Sequence, residues 1–432
     1  MKPVDCYRLG EWQELFLPGC QLSAQDQELA RQLGGEAGRV DIDELRSGLR
    51  VRARSWVGVV RFNAFELHIL PKMAGGNLRL VEMLAFTSGL DALRRNQSLR
   101  QIQADSQGGL FDLFAWLLAE ACERLLNGGL LYDYVVHEGD LPVMRGRLLV
   151  EAQIRRRLGQ VDRLECRYDE HSTDILETQI LSAALQVCAR QVSHPGVSRQ
   201  VRRLSAIFHE LCSTAVLDLR SARPLIYHRL NQHYAEPHHL AWLILDALRI
   251  DDLFASGQTR SFAFLLDMNR LFEQFTQRFV EWALRGSGYL VYPQHRDRSI
   301  LWDITHQQSY SRAIPDLLLE NPAAHTRLAV DAKYKQYDQR PVTTADLYQV
   351  LLYAYAYQPR AAHPHAILLY PTIADTDLVS AIQVRSEAQW SGANAQIAGI
   401  NIGEALDEVR SQKAGRAASL IRELVCDALG VI

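Results

Sequence analysis

Two short apolar runs, Leu317-Leu318-Leu319 and Leu328-Ala329-Val330, flank the turn-forming residues Glu320-Asn321-Pro322, the first opened by Asp316 and the second ended by Asp331. Short apolar runs bounded by turn residues read as strands. If the two pair as a hairpin, the start of the first lies beside the end of the second. Asp316 then comes close to Asp331. Side chains alternate along a strand, so Asp331 and Lys333 project to the same face. Two carboxylates and one ammonium therefore gather at a sheet edge. Two like charges converging there are costly unless something cationic sits between them.

That combination suits phosphodiester hydrolysis. Paired carboxylates hold Mg²⁺, a hard cation that prefers oxygen ligands and keeps several waters. Such an ion neutralises a scissile phosphate and acidifies a bound water, and a lysine beside it can orient the water or stabilise developing charge. With 50 acidic residues among 432, a D/E-x-K triplet arises readily by chance. Its weight here comes from the apolar strand leading into it, the Pro315-Asp316 strand before it and two flanking helices. On the preceding helix Glu273 reads either as a further metal-linked carboxylate or as a solvated residue. On the following one Gln349 and Tyr353, four apart, share a face, and Tyr353 also reads as core. The rival structural reading of the triplet is a buried ion pair of Lys333 with Asp331 or Asp316.

Basic residues are strongly biased: only Lys2, Lys72, Lys333, Lys335 and Lys413 are lysine, and the other 42 are arginine. Arginine is always charged and cannot replace a compact, tunable ammonium. Composition is otherwise that of a globular chain, 48% hydrophobic and 22% charged. Seven scattered cysteines without a CxxC pair argue for reduced thiols and against a zinc ribbon. The start lacks an apolar signal region and no stretch approaches a membrane span, so a cytoplasmic chain without membrane contact is expected. A net charge of −3 is low for a self-sufficient DNA binder. Either the basic surface is local or a partner holds the DNA.

Along the chain, residues 1–100 read as a mixed, β-rich domain, with strands at Leu49–Arg54, Trp56–Phe62 and Phe65–Leu70. Residues 101–255 read as mostly helical, with apolar stripes at 111–126, 176–192, 199–213 and 238–248. Asp251 to Gln258 reads as a linker. From 256 to 432 the rhythm becomes α/β: a long helix from Ser261 to Leu284, strands near 289–293, 299–304, 313–319 and 327–334, a helix at 343–358, a strand at Ala366–Tyr370 and a last helix at 404–428. The fold class expected is multidomain α+β overall, with an α/β C-terminal domain whose mixed central sheet is flanked by helices. The pattern G-x-x-x-x-G-K-[ST] is absent, so the chain is not itself a P-loop nucleotide motor.

Pro315-Asp316, Asp331-Ala332-Lys333 and Gln349-x-x-x-Tyr353 together resemble the PD-(D/E)xK nuclease superfamily in its RecB-like branch. The words Val330-Asp-Ala-Lys-Tyr-Lys335, Asp346-Leu-Tyr-Gln-Val350, Leu368-Leu-Tyr-Pro371 and Met268-Asn-Arg-Leu-Phe-Glu273 narrow this. With Gly58-Val-Val-Arg-Phe62 and Leu67-His-Ile-Leu-Pro-Lys72, they resemble McrC-like nuclease subunits of McrBC-type 5-methylcytosine restriction systems. The resemblance is strongest over 260–371 and loose over 100–250.

It implies an Mg²⁺-dependent endonuclease, with Mn²⁺ able to substitute, acting on double-stranded DNA that carries modified cytosine. Asp316 and Asp331, with the Ala332 carbonyl, would hold the metal, and Lys333 would position or activate water. Glu273 and Gln349 would make secondary metal or water contacts, and Tyr353 would buttress the site. It further implies an McrB-like AAA+ GTPase partner, a hexameric ring that binds the GTP while this chain alone does not. The chain would dock through its N-terminal half and stimulate hydrolysis. Arg52, Arg54 and Arg61 are candidates for a donor to the partner's GTP site, with none assigned. Two other readings stand beside this one: a stand-alone RecB-like repair or resolvase nuclease, and a non-catalytic adaptor that activates a AAA+ ring.

Overall fold

A computed structural model describes residues 5–35, 38–73, 76–88, 109–158, 162–212, 225–247, 261–295, 297–358, 363–374, 379–385 and 391–429. The linker expected at Asp251–Gln258 and the boundaries expected at 100/101 and 255/256 lie outside the described residues. The chain divides into two compact units. One comprises Met1–Val57, Asn63–Gln101 and Leu266–Ile432; the other comprises Gly58–Phe62 and Ile102–Leu265. The division does not follow chain order, because the N-terminal segment shares its unit with the C-terminal α/β region.

The first unit is built on a six-stranded mixed sheet. Its elements are helix α1 (Met268–Ala283) and strands β1 (Leu290–Pro293), β2 (Asp297–Asp303), β3 (Gln308–Ala313), β4 (Leu317–Asn321) and β5 (Thr326–Ala332). Helix α2 (Thr344–Tyr357), strands β6 (His365–Thr372), β7 (Val379–Arg385) and β8 (Ser391–Asn401), and helices α3 (Ile402–Ser411) and α4 (Arg416–Leu429) follow. The sheet order is β1-β4-β5-β6-β8-β7, and β2 and β3 pair separately as a ribbon. Strand β5 is antiparallel to β4 and parallel to β6. Residues Leu328 to Ala332 are therefore central and buried on both faces, as an unbroken apolar run requires. Leu318, Ala329, Ala366, Leu368 and Ile397 pack with Val350, Tyr353 and Tyr357 of α2. The alternate residues face the other way, and α1 and α4, which pack on each other, touch the same sheet.

Three expectations are corrected. The helix expected from Ser261 starts only at Met268, because Phe262–Asp267 is a strand and Asp267 caps the helix, accepting from the amides of Asn269 and Arg270. The strand expected over 313–319 is broken between Ala313 and Leu317, where Pro315 has no amide to donate. The helix expected over 404–428 is two helices, separated where Gln412 adopts a left-handed conformation. Strands β7 and β8 were not expected at all.

In the same unit the N-terminal segment adds a small antiparallel sheet and a parallel strand pair. Glu14–Pro18, Gly48–Ala53 and Val40–Leu45 form an antiparallel sheet, and Asp5–Gly10 runs parallel to Phe65–Leu70. Ser23 and Asp26 form a capping box on the helix Ala24–Leu33. The helix Gly76–Ser88 packs on α1 through Phe86 and Phe275 and reaches α3 through a fork of Arg79 onto Asp407, both bonds 2.9 Å.

The second unit is mainly helical, as expected. Helices Leu110–Gly128, Leu176–Gln191, Pro195–Leu211 and Ala235–Ala247 pack on one another. It also contains a three-stranded sheet of Asp133–Leu141, Leu164–Ser172 and Arg147–Leu148, which the sequence did not signal. Gly58, at φ 148°, lies so close to the Phe264 carbonyl that a Cβ would meet its oxygen at 1.9 Å, so only glycine fits. Among the described residues no helix is long and apolar enough to cross a membrane.

Candidate active site

The end of β5 and the start of β4 bring the expected charged residues together. Leu317 pairs with Val330, so Asp316 and Asp331 stand one step beyond the last pair. The Asp316 carboxylate accepts the Ala332 amide at 2.7 Å, and its carbonyl accepts the Gln294 amide at 2.8 Å. Both sides of the residue are thus held. Asp331 is 1% exposed, and the Lys333 ammonium sits 2.9 Å from its Oδ2. Lys333 is itself fixed through its backbone amide, which donates to the Leu369 carbonyl of β6 at 2.9 Å.

The electrostatics follow from burial and crowding. Burial first, then the neighbouring Asp316, push the Asp331 carboxyl up to about 7. Asp316 is also raised, by burial and by Glu273, although the Ala332 amide opposes this. For Lys333 burial acts downward, but Asp331 and Asp316 outweigh it and hold the ammonium above its ordinary range. The lysine therefore keeps its proton while the two acids compete for one. With one ammonium set against two acids, the cluster is short of positive charge.

The other expected residues are placed as follows. Glu273 lies half-buried on α1, raised by burial and by its acidic neighbours Asp267 and Asp331 against the pull of Lys333. Gln349 and Tyr353 share a face of α2 and form a chain: Gln349 Nε2 donates to the Tyr353 hydroxyl, which donates to the Ile314 carbonyl, each at 2.9 Å. This chain holds the segment that carries Pro315 and Asp316. Ala332 is buried between the two acidic strand ends.

Whether these residues suit a divalent metal can be judged from their oxygens. Apart from the Lys333 ammonium and the neighbouring Asp316 carboxyl, neither carboxylate oxygen of Asp331 has a hydrogen-bond partner, and both are shut off from solvent. A carboxylate is an acceptor only, so such oxygens are satisfied by a cation. Among the described residues no three His, Cys, Asp or Glu side chains gather to hold a metal, which leaves Glu273 outside direct coordination in this arrangement. Mg²⁺ needs only one or two carboxylates, with waters completing its shell. The Asp316–Asp331 pair meets that need.

Sequence reasoning missed two supports. Lys335 donates to Asp346 at 2.6 Å, and Tyr337 and Thr343 also donate to that carboxylate. This ties the loop after Lys333 to the first turn of α2. The spacing Thr343-x-x-Asp346 was the available signal, because it is that of a helix cap. The second support is a buried bond from Tyr334 to Glu11, 323 residues away in the chain, which has no local signal. The three arginines raised as donors to a partner all have partners here. Arg52 pairs with Glu14 and Arg54 with Asp41, both at 2.9 Å. Arg61 donates to the Gln191 carbonyl at 2.9 Å and lies over the Phe262 ring.

Fold and site together define a mixed α/β chain with a carboxylate pair, one member buried and one half-buried, and a lysine at the end of its central strands. The profile of the family described as McrBC 5-methylcytosine restriction system component matches residues 51–371, and the chain belongs to that family. Among solved structures, it is similar to a chain of the half-complex from the tetradecameric assembly of Thermococcus gammatolerans McrB AAA+ hexamers with bound McrC. Identity is 18% and the TM-score 0.66, covering 98% of this chain and 99% of that one. A chain of the Thermococcus gammatolerans McrBC complex is also similar, at 21% identity and TM-score 0.45, covering 65% of this chain and 88% of that one. At such identities the first likeness speaks for the fold. No curated protein matches the sequence.

Proposed function

We propose that this chain is the Mg²⁺-dependent endonuclease subunit of a modification-dependent restriction system, cutting DNA that carries modified cytosine. The observation that carries the reading is the Asp331 carboxylate, buried beside Asp316 and Lys333 with no other donor to satisfy it. A structural ion pair would be expected to satisfy both oxygens, since a half-satisfied buried network costs stability.

Asp316 and Asp331 would hold the metal, with the Ala332 carbonyl as a further oxygen and Glu273 acting through water. Mn²⁺ can substitute, being served by the same oxygen donors. Bound there, Mg²⁺ supplies neutralisation of the scissile phosphate and a more acidic water. The residues do the rest. Lys333, protonated and pinned at its backbone, directs positive charge to where negative charge develops. Gln349 and Tyr353 fix the Asp316 segment, so the two carboxylates keep their spacing. The buried strand ends limit the water that reaches them.

The chain would work with a AAA+ GTPase ring that binds the GTP. The Thermococcus gammatolerans McrC is bound to McrB AAA+ hexamers, and the near-neutral charge of this chain suits a subunit that leaves DNA capture to another. The test is cleavage of methylated and unmethylated plasmid by wild type and Lys333→Ala, with and without an McrB-like AAA+ protein and GTP. Cutting that requires methylation, partner and GTP, and is lost in the variant, is the expected result. Cutting by the chain alone would make it a stand-alone nuclease. Stimulated hydrolysis without any cutting would make it an adaptor.

A further inference from the structure

Lys333 is held from three directions. Its own amide bonds to Leu369, and two residues on Lys335 bonds to Asp346. Between them, the Tyr334 hydroxyl donates to Glu11 Oε2 at 2.8 Å in a buried contact. The same Glu11 oxygen accepts the Lys72 amide at 2.8 Å. The Tyr334 ring also packs on Phe272, 5.9 Å between centroids, next to Glu273. One carboxylate from the first strand and turn of the chain thus grips the residue between the two lysines of the site.

Two features make Glu11 poor as a device for stability. It is 2% exposed, and its Oε1 is buried without any hydrogen-bond partner, a cost that a neutral or apolar side chain would avoid. The following residue, Trp12, sits at φ 64° and is 52% exposed. That left-handed conformation is strained for so bulky a residue. The turn closes through the Gln13 amide onto the Gly10 carbonyl at 3.2 Å and sends Glu11 inward. A buried, half-satisfied acid held by a strained turn is the kind of local conflict that functional positions retain.

We infer that Glu11 is a positioning residue for the cleavage reaction: gripping Tyr334, it sets the backbone from which Lys333 reaches Asp331. This rests on the reading of Lys333 as the lysine of a nuclease site. Displacing a reacting group by about 1 Å can cost on the order of a hundredfold in rate. Loss of the grip should therefore appear in kcat, while DNA is still bound.

The experiment is steady-state cleavage of methylated duplex by the chain with its AAA+ partner, GTP and Mg²⁺, for wild type, Glu11→Ala, Glu11→Gln, Tyr334→Phe and Lys333→Ala. Glutamine keeps an oxygen that accepts from Tyr334 and Lys72, so it should retain most of the rate. Glu11→Ala and Tyr334→Phe should each lower kcat about tenfold or more with KM and partner GTP hydrolysis unchanged. Their combination should be no worse than Glu11→Ala alone, because both remove the Tyr334–Glu11 bond. If Glu11→Ala does not fold, Tyr334→Phe decides, since it keeps the ring on Phe272. Unchanged kcat in the folded variants, while Lys333→Ala is dead, overturns the positioning role and leaves the nuclease reading intact. A fall in KM-determined binding with kcat preserved also overturns it. Absence of cutting by wild type removes the nuclease reading, and this role with it.

Discussion

The Lys333 ammonium lies 2.9 Å from Oδ2 of Asp331, a carboxylate 1% exposed and with no other hydrogen-bond partner besides the Asp316 carboxyl among the described residues. A lone cation on one side of a buried acid, with Asp316 crowding the other, leaves the group short of positive charge. The expected consequences can be measured.

Divalent metal should stabilise the folded chain. Mg²⁺ or Mn²⁺ at ten times its dissociation constant would add about 1.4 kcal/mol to stability through mass action. Thermal melts with and without metal should show this rise for wild type and lose it in Asp331→Asn. A metal-independent melting temperature in wild type would count against the site.

The metal-free protein should lose stability as pH rises from the ordinary carboxylate range to neutrality. The Asp331 carboxyl is pushed up from 3.8 to about 7, and that of Glu11 from 4.5 to about 7. For a raised acid the folded state binds its proton more tightly than the unfolded state. Each contribution is fully present below pH 4 or so and is lost as pH passes through about 7. Asp331→Asn and Glu11→Gln should each flatten the profile, with melts at pH 5 and pH 8 providing the comparison.

Lys333→Arg should not restore cleavage. Guanidinium is larger and planar and cannot occupy the compact ammonium position against Asp331. We expect at least about a hundredfold loss of rate, of the size seen when one charge-stabilising donor is removed. Recovery to within a few-fold of wild type would contradict the role given to the lysine.

Tyr353→Phe removes the bond to the Ile314 carbonyl and should destabilise the chain by about 1 kcal/mol. Cleavage should fall while metal binding is weakened only modestly, because the Ala332 amide still holds Asp316. Calorimetric metal titration of the variant checks this.

Asp346→Ala removes the acceptor shared by Lys335, Tyr337 and Thr343 together with the first-turn contacts of α2. A loss of about 2 kcal/mol is expected from the cap and the charged bond together. Urea titration measures it.

The gathering of Asp316, Asp331 and Lys333 was legible because its grammar is local. Apolar runs end in Asp316 and Asp331, alternation places Lys333, and helical spacing pairs Gln349 with Tyr353. Leu317–Val330 pairing then fixes the rest. Element edges were less legible where apolar strand and apolar helix run together, as at Phe262–Asp267 into Met268. The strand Asp133–Leu141 carries charged and exposed residues without clean alternation, and Ser391–Asn401 is made largely of small residues. Neither gives a strong period-2 signal. The contacts of Glu11 with Tyr334 and of Arg79 with Asp407 join residues more than 300 positions apart. Only the folded chain reveals them.

The most direct test of the central claim is cleavage of methylated duplex by the chain with its AAA+ partner, GTP and Mg²⁺, comparing wild type with Asp331→Asn while following GTP hydrolysis. The variant should still stimulate hydrolysis but cut no DNA. Cutting at an undiminished rate by Asp331→Asn would contradict it.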